Sequence, residues 1–113
     1  MTEQPKPENL SDGVKSEQEA YLRAVEATMS EFFAQQRTLL TAISHDALPL
    51  LEAIESLSSE GKRLRALLSY WGWRGAGGDS ILEGSAPAPI IRAGAALELF
   101  QSAALIHDDI IDR

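Results

Sequence analysis

The chain has 113 residues, no cysteine and a formal net charge of −7, so its length allows one small domain. The absence of cysteine excludes a disulfide scaffold, a cysteine metal site and a cysteine nucleophile. The acidic balance argues against nucleic-acid binding. The N-terminus lacks the basic and apolar parts of a signal peptide, and Glu98 and Gln101 interrupt the best apolar run. We therefore expect a cytoplasmic protein without a membrane span.

The chain up to Ile43 contains a predicted tail and a predicted amphipathic helix. Residues 1–15 are rich in polar residues, proline and glycine, which favours a disordered tail. Ser16 and Glu19 form a capping-box pattern at which the helix would begin. Apolar residues then recur at three- and four-residue steps to Ile43. They are Leu22, Val25, Met29, Phe32 or Phe33, Leu40 and Ile43.

Three more helices follow, and the sequence shows no strand alternation, so the predicted class is an all-α helical bundle. The second helix covers residues 47–57 and the third runs from Lys62 to the glycine-rich break at Gly75. The fourth runs from Pro89 to Ile111 and is apolar almost all round, which is typical of a helix in the middle of a bundle. Four helices leave such a helix poorly covered, so the bundle is expected to be incomplete in this chain.

A basic cluster lies at the start of the predicted third helix. Lys62, Arg63 and Arg65 follow Gly61, and the helix dipole disfavours cations at this end. A bound anion would explain them, because a helix N-terminus offers free N–H groups and glycine permits close approach. The alternative is a solvated basic turn neutralised by Glu60.

An acidic cluster lies at the end of the predicted fourth helix. Asp108, Asp109 and Asp112 would project to one side, where they repel one another and oppose the dipole. A divalent cation removes the conflict, and oxygen ligands with room for water suit Mg²⁺. The alternative is a solvated helix end with Arg113 as partner. A substrate with a diphosphate head and a hydrocarbon tail would fit both clusters and the apolar helix between them.

These motifs resemble the trans-isoprenyl diphosphate synthase (polyprenyl synthetase) family. The segment 61–65 matches its G-K-R-x-R motif, and residues 107–112 are similar to the end of its central helix with the aspartate-rich motif D-D-x-x-D. The resemblance covers roughly residues 16–113 and implies the N-terminal part of an isoprenoid synthase-like helical domain. Ala66 is a departure, since the family usually has proline there.

The resemblance implies a role for each matching residue. Asp108, Asp109 and Asp112 would hold Mg²⁺ on the diphosphate of an allylic substrate and serve as the catalytic set. Lys62 and Arg65 would bind the diphosphate of isopentenyl diphosphate, and Gln101 stands where the family often contacts that substrate. The full substrate-binding set that we predict is Gly61, Lys62, Arg63, Arg65, Gln101 and Arg113.

The same comparison predicts product length and partners. Ala103 and Ala104 occupy the positions that floor the product pocket in the family, with the larger Phe100 one turn earlier. The small pair favours geranylgeranyl or longer products, although alanines also permit close helix packing. The resemblance implies a homodimer, with a heteromer as an alternative.

Only one aspartate-rich motif is present, so this chain alone is expected to be inactive. Two other functions stay open. The chain could be a non-catalytic or half-site subunit of a heteromeric prenyl synthase, or a fragment of a class I terpene cyclase. The basic motif weakens the cyclase alternative, because cyclases bind no isopentenyl diphosphate.

Overall fold

The computed structural model describes residues 7–83 and 88–111, with the side chains of residues 12–59, 61–83, 88–108 and 111. These parts of the chain contain helices and turns and no strand, which confirms the predicted all-α class. The elements in chain order are α1 (Pro7–Ile43), a 3-10 turn (His45–Ala47), α2 (Leu48–Glu60), α3 (Leu64–Gly75) and α4 (Ala88–Ile111).

Two predicted helix boundaries differ from the structure by three residues or more. The first helix begins at Pro7 and not at Ser16, so residues 7–15 of the predicted tail are helical, whereas residues 1–6 lie outside the described parts. Proline suits the first helical position, because its ring presets φ and its missing N–H would have no helical partner there. α2 continues to Glu60 instead of ending at residue 57. Within this last turn the hydroxyl of Ser59 donates a hydrogen bond to the carbonyl of Ser56.

The core forms along one face of α1. Tyr21, Val25, Met29 and Phe33 are buried at four-residue spacing, so this face matches the period of an α-helix. The predicted stripe is confirmed in its middle, but Ile43 is 77% exposed. The other buried apolar residues, contributed by α2, α3 and α4, are Leu51, Ala66, Tyr70, Ile90, Ile91 and Ala95.

α4 packs against α1, α2 and α3, as predicted for a central helix. Only one face is covered, since Leu97, Phe100 and Ile111 on the other side are exposed. By length and composition, residues Ala88–Asp108 could cross a membrane. The core helices of soluble bundles share this property, so the expected absence of a membrane span stays a prediction.

α1 and α4 are in close contact at Gly94. A Cβ atom at this position would overlap the hydroxyl oxygen of Tyr21 and press on Val25. That hydroxyl donates a hydrogen bond to the carbonyl of Ile90 on α4 at 2.9 Å. Burial and the charge of Glu98 raise the pKa of Tyr21 to about 12, so the phenol stays protonated and remains a donor. A glycine is therefore needed for the two helices to pack this closely.

A buried carboxylate joins α1 to α3 and to the turn that follows α3. Glu17 accepts hydrogen bonds from Tyr70 at 2.7 Å and from Arg74 at 2.9 Å, and a further one from Ser80. Burial alone would raise its pKa, but the bonds from Ser80 and Tyr70 and the charge of Arg74 outweigh burial and lower the pKa. Glu17 is therefore an ionised carboxylate whose hydrogen bonds link three segments of the chain.

Candidate functional site

The basic cluster occupies a short loop between α2 and α3. Gly61 is extended, with φ −81° and ψ 161°, and Arg63 has a left-handed conformation, with φ 60° and ψ 34°. α3 begins at Leu64, so Lys62 and Arg63 precede the helix and only Arg65 lies in its first turn. The prediction that all three cations lie in the first turn is therefore wrong. The helix begins only after Arg63, because a residue in the left-handed conformation cannot belong to a right-handed helix.

Arg63 points into the protein. It is 8% exposed, and its guanidinium lies 3.8 Å from Glu98 on α4 and 3.8 Å from Glu26 on α1. Its Nε atom has no hydrogen-bond partner. Lys62 and Arg65, in contrast, are exposed. The three neighbouring cations therefore divide into one internal guanidinium and two that face solvent.

Glu98 also bonds the backbone of α3. Its Oε1 atom accepts the N–H of Ala66, the third residue of that helix, at 3.0 Å. Arg63 at the helix N-cap makes no side-chain cap, so a carboxylate from another helix satisfies one of the free N–H groups at the helix start. Alanine at position 66 supplies an N–H that proline would lack.

A surface pocket of about 180 Å³ opens between this loop and α4. It brings together five of the six predicted substrate-binding residues, whereas Arg113 lies outside the described residues. Its lining carries three cations and the carboxylate of Glu98, so the pocket suits an anion. Its polar lining is formed by Gly61, Lys62, Arg63, Arg65, Glu98, Gln101 and Ser102, and its apolar lining by Leu57, Leu64 and Leu105.

The predicted metal ligands begin one helical turn beyond the pocket. Asp108 follows Leu105 by three residues, and its side chain is 73% exposed, with an oxygen 3.9 Å from Nδ1 of His107. Asp109 belongs to the last turn of α4 but its side chain is not described, and Asp112 lies outside the described residues. Among the described side chains no three acidic, histidine or cysteine residues form a metal-binding group. The magnesium site therefore stays a prediction.

The predicted product-length residues lie along the open side of α4. Phe100 is 73% exposed, Ala103 is exposed and Ala104 is half-buried. Their spacing of three and four residues places them on one face of the helix. This face leads towards Asp108, one turn further along.

A second pocket, of about 240 Å³, lies on the α1 side of Arg63. Glu26, Glu55 and two serines of α2 contribute to its walls. Sequence reasoning singled out neither Glu26 nor Glu98 as part of the site. Glu98 could have been noticed in the sequence, because a charged residue inside an apolar helix needs a buried partner.

The chain is thus an all-α protein with a pocket lined by cations at a junction of helices. A comparison with protein-family models matches residues 49–113 to polyprenyl synthetase. Since this match covers more than half of the sequence, the chain belongs to the polyprenyl synthetase family. The match leaves out α1, so the resemblance over residues 16–48, and with it the domain boundary at residue 16, stays a prediction. A comparison with solved structures found no match.

Proposed function

We propose that this chain is the part of a magnesium-dependent isoprenyl diphosphate synthase that binds isopentenyl diphosphate for condensation with an allylic diphosphate. The observation that carries the proposal is the pocket shared by Lys62, Arg65 and Gln101. Family membership supplies the class of reaction. The pocket brings these three residues, which come from the loop before α3, from the first turn of α3 and from α4, to one place.

The pocket suits a diphosphate with a short hydrocarbon tail. Lys62 and Arg65 are exposed cations that can bond phosphate oxygens, and charge-assisted bonds of this kind are the strong ones. Gln101 adds an amide donor from α4. The leucines at positions 57, 64 and 105 offer apolar contact to the tail. The chain's own residues thus bind and orient the second substrate.

The aspartate-rich end of α4 would hold Mg²⁺. Its donor set is carboxylate oxygen, the chemistry that Mg²⁺ prefers, and the one side chain of the set that the structure describes, Asp108, faces solvent. Asp108, Asp109 and Asp112 would hold the ion, which would supply positive charge to the departing allylic diphosphate. The proposed condensation requires no protein nucleophile.

Isopentenyl diphosphate binding tests the proposal directly. Lys62→Ala and Arg65→Ala are each expected to weaken binding about tenfold or more, because each removes a charge-assisted bond. The measurement is isothermal titration calorimetry, since binding does not depend on the turnover that we expect this chain to lack. Arg23→Ala is the control, because it removes an exposed cation from α1. Equal affinities for all four proteins would contradict the proposal.

Product length is a second test. A complete enzyme that contains this segment is expected to make geranylgeranyl diphosphate or longer products, since Ala103 and Ala104 leave room beside α4. Ala104→Phe is expected to shorten the product by filling that room, whereas Ala27→Phe, on an exposed position of α1, is not. Mass spectrometry of the products measures the chain length. Farnesyl diphosphate as the end point of the unmodified enzyme would contradict the prediction.

A further inference from the structure

We infer that Glu98 is a positioning residue for the diphosphate pocket and acts through the backbone N–H of Ala66. The inference deepens the proposed function and rests on it. Glu98 lies on α4, whereas the loop that it positions belongs to α2 and α3. Its role is to hold the N-terminus of α3 against α4, so that Lys62 and Arg65 face Gln101.

The hydrogen bond to Ala66 is the first support. Glu98 is 6% exposed, so its carboxylate is largely shielded from water that would compete for the N–H of Ala66. The bond of 3.0 Å ends on the third residue of α3, next to Arg65 in the chain. A shift of this N–H would therefore move the Arg65 backbone with it.

The strained backbone of Arg63 is the second support. The left-handed conformation of Arg63 is unfavourable for a non-glycine residue and persists only where its surroundings impose it. Glu98 and Glu26 bracket the guanidinium at 3.8 Å each. The side chain is thus held from two helices, and the turn places Lys62 outside while Arg63 points inside.

The position of Gln101 is the third support. It follows Glu98 by three residues, so the two side chains lie on neighbouring turns of one helix face. Both line the pocket. The contact that fixes α3 and the amide that would meet the ligand therefore share one rigid segment, and the spacing between Gln101 and the two cations depends on Glu98.

Two substitutions distinguish the effect of the length of the Glu98 side chain from the effect of its charge. Glu98→Gln keeps the side-chain length and an oxygen acceptor for Ala66, whereas Glu98→Asp keeps the charge but is one methylene too short to reach the amide. We expect Glu98→Asp to weaken the binding of inorganic pyrophosphate about tenfold. Glu98→Gln is expected to stay within about threefold of the unmodified chain, because its oxygen still accepts the N–H of Ala66 and Glu26 still faces the Arg63 guanidinium. Titration calorimetry well below the unfolding temperature measures both, and amide exchange by NMR should show faster exchange of the Ala66 N–H only in Glu98→Asp.

Tyr21→Phe is the matched control, because it removes another buried hydrogen bond to α4, outside the pocket. It is expected to lower stability and leave pyrophosphate affinity unchanged within about twofold. If Glu98→Asp and Tyr21→Phe lost the same pyrophosphate affinity, Glu98 would only stabilise the fold, and the inference would be overturned. Wild-type affinity in Glu98→Asp, or a loss in Glu98→Gln as large as in Glu98→Asp, would also overturn it. Failure of the unmodified chain to bind pyrophosphate would instead contradict the proposed function.

Discussion

Gly94→Val is expected to lower the free energy of unfolding by about 3 kcal/mol, because the new side chain must enter a filled contact between α1 and α4. Even its first carbon would overlap the hydroxyl of Tyr21 and come within 3.2 Å of Val25. Tyr21 has no exposed surface and is held by its bond to Ile90. It cannot move aside without breaking that bond, so the strain spreads to both helices.

Urea denaturation followed by circular dichroism measures this effect. Gly72→Ala is the control, because Gly72 lies in α3 and a Cβ atom there meets nothing within 4 Å. Alanine favours helix over glycine, so this control is expected to raise the free energy of unfolding by about 0.5–1 kcal/mol. A valine at position 94 that is tolerated as well as the alanine at position 72 would show that α1 and α4 do not pack closely.

Glu17→Gln is expected to lower the free energy of unfolding by about 3 kcal/mol at neutral pH. The substitution removes the negative charge that Tyr70, Arg74 and Ser80 stabilise with hydrogen bonds, and bonds to charged groups contribute about 1.5–3 kcal/mol each. Glu19→Gln is the matched control on the same helix. It changes an exposed side chain, so its effect should stay within about 0.5 kcal/mol.

At acidic pH the free energies of unfolding of Glu17→Gln and the unmodified chain should become equal. The folded pKa of Glu17 lies below the usual 4.5, so its contribution is complete above the unfolded pKa and is lost as the pH falls through the folded pKa. Urea unfolding at a series of pH values measures the difference directly. A difference that stays constant from neutral pH down to the acid limit would contradict an ionised Glu17.

The sequence predicted the helices better than their ends. The apolar spacing from Val25 to Phe33 is local information, and it identified the buried face of α1. The start of α3 is different, because the left-handed turn at Arg63 is held by carboxylates from α1 and α4. No local pattern contains those contacts. The capping box at Ser16 was misleading since the helix runs through it from Pro7.

The residues of the candidate pocket could be predicted from the sequence only in part. Lys62, Arg65 and Gln101 carry a pattern that the family shares, and the fold brings them to one pocket. The internal direction of Arg63 was not predictable, because it depends on Glu98 from a distant part of the sequence. Asp109 and Asp112 remain predictions, since the structure does not describe their side chains.

The segment 61–65 is short in sequence, yet its shape depends on three other segments. α2 leads into it, Glu26 of α1 reaches its inner side chain, and Glu98 of α4 holds both that side chain and the helix that follows. A five-residue peptide with this sequence would carry the same charges without the geometry. Grafting the motif onto another helical scaffold would therefore transfer the proposed diphosphate recognition only if the two distant carboxylates were transplanted with it.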